Sequence, residues 1–234
     1  MSYLSNPTFL LFLTLFLYSF GLYLTSKKKW ILFNPMIISM VIMISYCLIL
    51  KIPYEQYEKA GKYIDFFLQP SIVALAIPLY SQWENIKKQL FPIITSQLLG
   101  CLVGIFSVVL LAKWTGAETE IILSLAPKSV STPIALEVSK SIQGIPSITA
   151  ACVMMTGIFG SMVGFHLLNL SQISNPMSQG IAMGTASHAL GTLKAMEVSK
   201  KYGAFASVGM IFNGILTSIL APIILKLLMP YISS

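Results

Sequence analysis

Charge is what this sequence has least of. Only 10% of its 234 residues are Asp, Glu, Lys or Arg, against about 25% in a water-soluble domain, so there is too little charge to cover a globular surface in water. Arginine is absent, and all 15 basic residues are Lys. The chain therefore has no guanidinium fork for bidentate carboxylate binding, and an anion must be held by Lys, hydroxyls or backbone N–H groups. Asp occurs once, at Asp65, and His twice, at His166 and His188. Cys47, Cys101 and Cys152 each stand alone in an apolar run, where free thiols are expected rather than a disulfide or a metal site. No Ser-His-Asp set, metal-ligand spacing or phosphate loop occurs. These absences argue against an enzyme, and they give no cofactor and no metal to expect.

Apolar residues make up 56% of the chain. A hydrocarbon core of about 30 Å takes about 20 apolar residues per helical crossing. Stretches of that kind occur at 7–25, 31–50, 64–80, 90–112, 145–168 and 204–229. The expected fold is an all-α polytopic integral membrane protein. The formal net charge of +7 comes from lysines scattered between apolar stretches, which reads as topology and not as a nucleic-acid surface. The first lysine, Lys27, follows the first apolar run, so residues 7–25 read as a retained span and not as a secretion signal. Lys27, Lys28 and Lys29 follow the first span and Lys87 and Lys88 the third. The excess-lysine rule puts those loops in the cytoplasm, the amino terminus outside, and the loop with Lys51, Glu55, Glu58, Lys59 and Lys62 outside. Phe9, Phe12, Phe16, Tyr18, Phe20 and Tyr23 on the first span suggest lipid contact or an oligomer face. Gly100 with Gly104, and Gly160 with Gly164, are G-x-x-x-G pairs that favour close helix approach.

Residues 118–143 and 178–203 are too polar for ordinary spans and too apolar for loops. They also match each other. At an offset of sixty, Ala126, Thr132 and Ala135 fall on Ala186, Thr192 and Ala195, and the run Glu137 to Lys140 falls on Glu197 to Lys200, while Lys128 falls on His188. This gives an internal repeat in the carboxy-terminal half, about 114–173 and 174–234, following scaffold or oligomerisation helices in 1–113. Paired, interrupted hydrophobic segments are the best sequence pointer to a transporter site.

In the first copy Pro127 ends the apolar run and Pro133 suits the first position of a helix capped by Thr132. In the second, Thr192 takes the same capping place after Gly191, so helices are expected to start at Pro133 and Leu193. A ten-residue half-helix is about 15 Å long, so counting inward from Lys140 or Lys200 puts each start near the bilayer midplane. Two positively polarised N-termini there suit an anion. The expected substrate-binding donors are Lys128, Ser129, Ser131, Thr132, His188, Thr192 and Lys194, with Glu137 and Glu197 as coupling groups. Plainer readings stand beside these: Glu137 has Lys140 within local ion-pair reach, Glu197 has Lys194, Lys200 and Lys201, and His188 is equally readable as a packing residue. His166 and Asp65 read as structural and interfacial. Two topologies are open: eight crossings, which put Lys140 and Lys200 both inside as the lysine bias prefers, or six crossings with two re-entrant hairpins, whose opposite orientation aims both N-termini at one site and favours the second.

The runs A-P-K-S-V-S-T-P-I-A-L-E-V-S (126–139), G-I-P-S (144–147) and G-T-A-S-H-A-L-G-T-L-K-A-M-E (184–197) resemble the LrgB/CidB family. The resemblance extends through N-P (34–35), I-P-Y-x-x-Y (52–57) and A-I-P-L-Y (76–80), and the A-S-H-A-x-G-T-x-K-A-x-E run (186–197) with G-A-F-A-S (203–207) resembles the CidB branch more than the LrgB branch. It implies a bacterial plasma-membrane protein that is holin-like or antiholin-like, works with a smaller CidA- or LrgA-type membrane protein, and affects murein hydrolase activity and autolysis. Relatives resemble transporters of small carboxylates, pyruvate in bacteria and glycolate or glycerate in plastids. The first expectation is accordingly a small-monocarboxylate transporter or facilitator, and the alternative a holin-like or antiholin-like pore or lysis regulator. The expected partners are a carboxylate anion, the lipid bilayer, a second copy in a homo-oligomer (a dimer), and the CidA/LrgA-type protein.

Overall fold

The computed structural model describes residues 4–27, 35–67, 70, 73, 74 and 76–232. Lys28, Lys29 and Asn34 lie outside the described residues, as do 68, 69, 71, 72 and 75 of the third expected span. Among the described residues the chain is helical throughout, with no strand. The helices are α1 (Pro7–Lys27), α2 (Pro35–Ile49), α3 (Tyr54–Asp65), α4 (Ala76–Ser81), α5 (Trp83–Lys88), α6 (Leu90–Trp114), α7 (Thr119–Leu125), α8 (Thr132–Ser141), α9 (Pro146–Leu170), α10 (Pro176–Val198) and α11 (Lys200–Ile232). Four of them, α1, α6, α9 and α11, are long and apolar enough to cross a membrane. These four match the first, fourth, fifth and sixth expected spans, and the second and third are only partly described. The described part of the second expected span is α2, apolar but only 15 residues long, and the described parts of the third are the end of α3 and α4. The chain divides into two compact units, Met1–Ala74 and Leu75–Ser234.

In the first unit α1, α2 and α3 meet through buried Leu10, Leu17, Met43 and Ala60. Phe12, Phe16 and Phe20 run up the exposed side of α1, stacked with centroids 6.3 and 6.4 Å apart. The loop expected at 51–62 is instead mostly helix. Its charges follow a helical period: Tyr57 and Ala60 turn to the core, while Glu55, Glu58, Lys59 and Lys62 stay exposed, with Lys62 and Glu58 paired at 3.6 Å.

The second unit has two ends, fixed by contacts between helix termini. At one end Ile86 and Ile93, before and at the start of α6, pack with Ile181, Phe205 and Val208. At the other end Lys113 Nζ, late in α6, donates to the carbonyl of Ile232 in α11 at 3.0 Å. Helices α6 and α11 thus run in the same direction, from the first end to the second. Helix α7 starts near the second end, and the chain after it does not continue across. Thr149 Oγ1 of α9 lies 2.9 Å from the carbonyl of Ser124 and 2.7 Å from the hydroxyl of Ser139. Ser124 Oγ also accepts from Ile145 N at 2.7 Å. The late turns of α7 and α8 and the start of α9 therefore meet, which requires α8 to retrace the path that 126–131 takes away from α7.

Helix α9 then crosses to the first end, where Gln179 Nε2 donates to Asn169 Oδ1 at 2.7 Å. Helix α10 returns alongside α9, and glycines let the two approach: a Cβ on Gly164 would meet Met183, on Gly160 Ser187, and on Gly157 the His188 ring. This is the close approach that the second G-x-x-x-G pair predicts. Helix α10 is broken at His188, at φ 42° and ψ −131°. Beyond it the chain folds back, because a Cβ on Gly191 would strike the carbonyl of Met183 and Ala195 is buried with Met183 and Ala206. Helix α11 starts at the first end beside α10 and packs on it through Gly180, Gly184 and Gly209.

A Cβ on Gly184 would lie 2.7 Å from the Ala206 carbonyl carbon, whereas nothing lies within 4 Å of one on Gly104. We expect Gly184→Ala to lower stability by about 1–3 kcal/mol through overpacking, and Gly104→Ala to leave it unchanged or raise it by up to about 1 kcal/mol. Thermal unfolding of the purified protein in detergent checks both.

Candidate functional site

Two interruptions in helical backbone shape the site. In the first, 126–131, Pro127 has no N–H to continue α7. After the bond of Ala126 N to Ile122 O at 3.2 Å the segment's own N–H groups make short bonds, Lys128 N to Leu125 O at 3.1 Å and Val130 N to Pro127 O at 3.4 Å. Helix α8 then begins one residue earlier than expected. Ser131, extended at φ −62° and ψ 145°, is the N-cap, with no side-chain cap bond, and Thr132 is the first helical residue with Pro133 in the first turn. Thr132 is thus not the cap.

The second interruption is displaced further from its expected place. It falls at His188, so the returning arm begins at Ala189 and not at Leu193. Thr192 is inside that arm, its Oγ1 donating to the His188 carbonyl at 2.9 Å, and it does not cap. His188 lies directly opposite Lys128 in the sixty-residue offset. A non-glycine residue at positive φ costs of order 1–3 kcal/mol, and surrounding contacts hold this one. The ring is buried and Nε2 lies 3.0 Å from the Val153 carbonyl. A carbonyl only accepts, so Nε2 carries the proton. Val153 is about 10 Å into α9 at 1.5 Å per residue.

Between α6 and α9, floored by α10 and α11, lies a cavity of about 1030 Å³. Its walls are mostly apolar, and its polar lining includes Lys128, Ser129, Gln97, Thr185, Asn213 and Thr217. Lys128 is half-buried and its Nζ donates to Ser129 Oγ at 3.1 Å. Among the described residues no carboxylate forms an ion pair with it. Gln97 Nε2 donates to Thr185 Oγ1 at 2.7 Å, and Thr185 Oγ1 to the Ile181 carbonyl at 2.7 Å. Asn213 Nδ2 donates to the carbonyls of Ser129 and Thr185, at 3.0 and 3.1 Å. One side chain of α11 thereby joins the first interruption to the last turn before the second.

Of the residues expected to bind substrate, Lys128 and Ser129 line this cavity. Ser131, Thr132, His188, Thr192 and Lys194 are outside its lining. Lys194 is exposed and pairs with Glu197 at 2.7 Å, and Lys140 pairs with Glu137 at the same distance. Both pairs sit on helix faces turned away from buried Ala135, Val138, Thr192 and Ala195, so these glutamates have the local partners that the plainer reading gives them. Cys47, Cys101 and Cys152 are free. Gln97, Thr185, Asn213 and Thr217 fall outside the positions that the sixty-residue match pairs. Amides inside the apolar runs 90–112 and 204–229 are the signal that finds two of them.

A helical bundle with several apolar helices of spanning length and polar groups gathered inside describes a multi-pass membrane protein. The chain matches the LrgB-like family over residues 14–227 and belongs to it. Over 209 residues it is 37% identical to the uncharacterized protein YwbG of Bacillus subtilis strain 168, covering 87% of this chain and 93% of that one. It is 36% identical to an uncharacterized protein of Haemophilus influenzae over 93% of this chain and 94% of the relative. It is 33% identical to the antiholin-like protein LrgB of Bacillus cereus strain B4264 over 97% of both. No solved structure matches it.

The Thr149 hydroxyl joins the buried Ser124 carbonyl to the buried Ser139 hydroxyl, and both lose that partner if it is removed. We expect Thr149→Val to cost about 1–3 kcal/mol, seen as a lower unfolding temperature, while Thr95→Val, at an exposed hydroxyl bonded only within its own helix, changes it little.

Proposed function

We propose that this chain is an antiholin-like protein of the bacterial cell membrane, acting with a small CidA- or LrgA-type membrane protein on murein hydrolase activity and lysis. What supports this reading is likeness over nearly the full length to a relative that carries the antiholin-like name. Its topology is six crossings with two re-entrant hairpins, built as inverted copies of one repeat. The meeting of Ser124, Ser139 and Thr149 at one end supports the first hairpin, and the reversal at His188 supports the second. Lys87, Lys88, Lys200 and Lys201 gather at the first end of the second unit, which the excess-lysine rule makes cytoplasmic. The same rule puts the amino terminus outside. The exposed aromatic ladder of α1 suits an oligomer contact or lipid.

A second reading, passage of a small monocarboxylate such as pyruvate, is favoured by one specific observation: Lys128 lines a large, partly open cavity, and among the described residues no carboxylate pairs with it. An ammonium in an apolar bundle costs free energy that a counter-ion offsets, and here the ligand supplies that charge. Ser129 and Ser187, within a few residues of the starts of α8 and of the returning arm of α10, line the cavity, and the helix dipoles of those starts add positive potential near it. Ser129, Gln97 and Thr185 offer directional partners. The two readings are compatible, since movement of a metabolic acid can report on the state that triggers lysis. No enzymatic step is proposed.

Proteoliposomes distinguish them. Under the second reading, labelled pyruvate crosses saturably, trapped dye stays inside, and Lys128→Ala lowers flux by about tenfold or more, the equivalent of about 1.4 kcal/mol or more of lost interaction. Lys194→Ala, at an exposed ion pair, leaves flux unchanged. Equal fluxes for the wild type and Lys128→Ala reject the carboxylate reading and leave the antiholin-like one, which is tested by autolysis rates with and without the small partner.

A further inference from the structure

Asn213 lies outside every motif that marks the repeat. It is 2% exposed and stands about 20 Å along α11 from its start. An amide nitrogen has two protons, and both are committed here, one to Ser129 O and one to Thr185 O. These are carbonyls of the kind a broken helix leaves without partners. Ser129 belongs to the non-helical stretch 126–131, and Thr185 to the turn before His188, where a helix loses its i+4 donors. The two carbonyls also arrive from opposite ends of the unit, Ser129 on the fold-back after α7 and Thr185 on the arm that α10 sends from the first end. Both residues and Asn213 line the cavity.

We propose that Asn213 is a positioning residue, a two-sided latch that holds both fold-backs against the cavity, and that the cavity opens toward either end when one of its two bonds is released while the other stays. This rests on the reading of that cavity as the working site. The latch is unequal. Thr185 is also held from α6, through Gln97 Nε2 at 2.7 Å. Among the described residues, the backbone of 126–131 is otherwise bonded only to its neighbours along the chain, through Ala126 N to Ile122 O and Lys128 N to Leu125 O toward α7, Val130 N to Pro127 O within the stretch, and Ala135 N of α8 to Ser131 O. Asn213 gives its one backbone bond from a distant helix. Loss of the amide therefore frees the first fold-back more than the second.

The test is hydrogen exchange by mass spectrometry on the full chain in lipid nanodiscs, comparing the wild type with Asn213→Asp, a substitution of the same shape that donates at most one proton and so cannot keep both bonds. Amides of 126–131 are expected to exchange about tenfold faster or more, those around 186–191 to change less, and those of α1 not at all. In a background with the three cysteines replaced by Ala, Ser129→Cys should also react faster with an impermeant maleimide from the side of the second end. Unchanged exchange in 126–131, or an equal rise in every helix, overturns the proposal. Should Asn213→Asp fail to fold, Asn213→Gln, with both protons one methylene further out, is expected to show the same ranking of segments in smaller measure, and equal segments there overturn it too. Exchange needs no solute, so a wild type without pyruvate flux rejects the carboxylate reading and leaves the latch standing. A flat exchange pattern with flux intact rejects the latch alone.

Discussion

Carbonyls released where a helix breaks must find donors, and inside a bundle of apolar helices water does not provide them. This constraint organises the second unit. Its backbone is interrupted at 126–131 and at His188, and each interruption is met by side chains brought from elsewhere. Near the second end the hydroxyls of Ser124, Ser139 and Thr149 tie the first fold-back to the start of α9. At the inner edge the Asn213 amide serves carbonyls of both segments. Each of these groups is buried because the backbone it serves is buried.

The same constraint explains where the small residues lie. An arm that returns on itself needs its neighbours close, and Gly157, Gly160 and Gly164 on α9 with Gly180, Gly184 and Gly191 on α10 remove the Cβ atoms that would keep them apart. On α6 the equivalent pair does something else. Gly104 has nothing within 4 Å of where a Cβ would stand and Gly100 only a Thr185 methyl at 3.4 Å, so these glycines widen the cavity wall. A G-x-x-x-G pair predicts a close contact only where another helix comes to fill it.

Much of this was legible in the chain. Pro127 and Pro133 announce the first interruption, and the sixty-residue offset announces that a second exists. Its place was misread by a few residues because Gly191 and Thr192 look like a helix start, whereas the chain turns at His188, a residue that carries no turn signal and sits in a conformation that ordinarily calls for glycine. What identifies it is the offset itself, which sets His188 opposite Lys128. Helix α3 was hidden by its charge, since Glu55, Glu58, Lys59 and Lys62 read as a loop until Tyr57 and Ala60 are seen to share one face. Gln97 and Asn213 were hidden by distance, because a repeat search compares residues sixty apart and these two matter through contacts 88 and 84 residues away.

The charges then separate into two kinds. Glu84, Glu137 and Glu197 pair with nearby lysines on their own helices, at or near the surface, where such pairs contribute little and report only that the face is wet. Lys128 differs in being half-buried, beside the interrupted backbone and without a carboxylate. Under the proposed carboxylate reading an entering anion would compensate its charge, and the proposed Asn213 latch would hold Ser129 and Thr185 against that anion, so occupancy of the cavity and closure of the two fold-backs would favour each other. Selectivity would then come from how much of the ligand the closed fold-backs reach, with Lys128 setting only the sign of its charge.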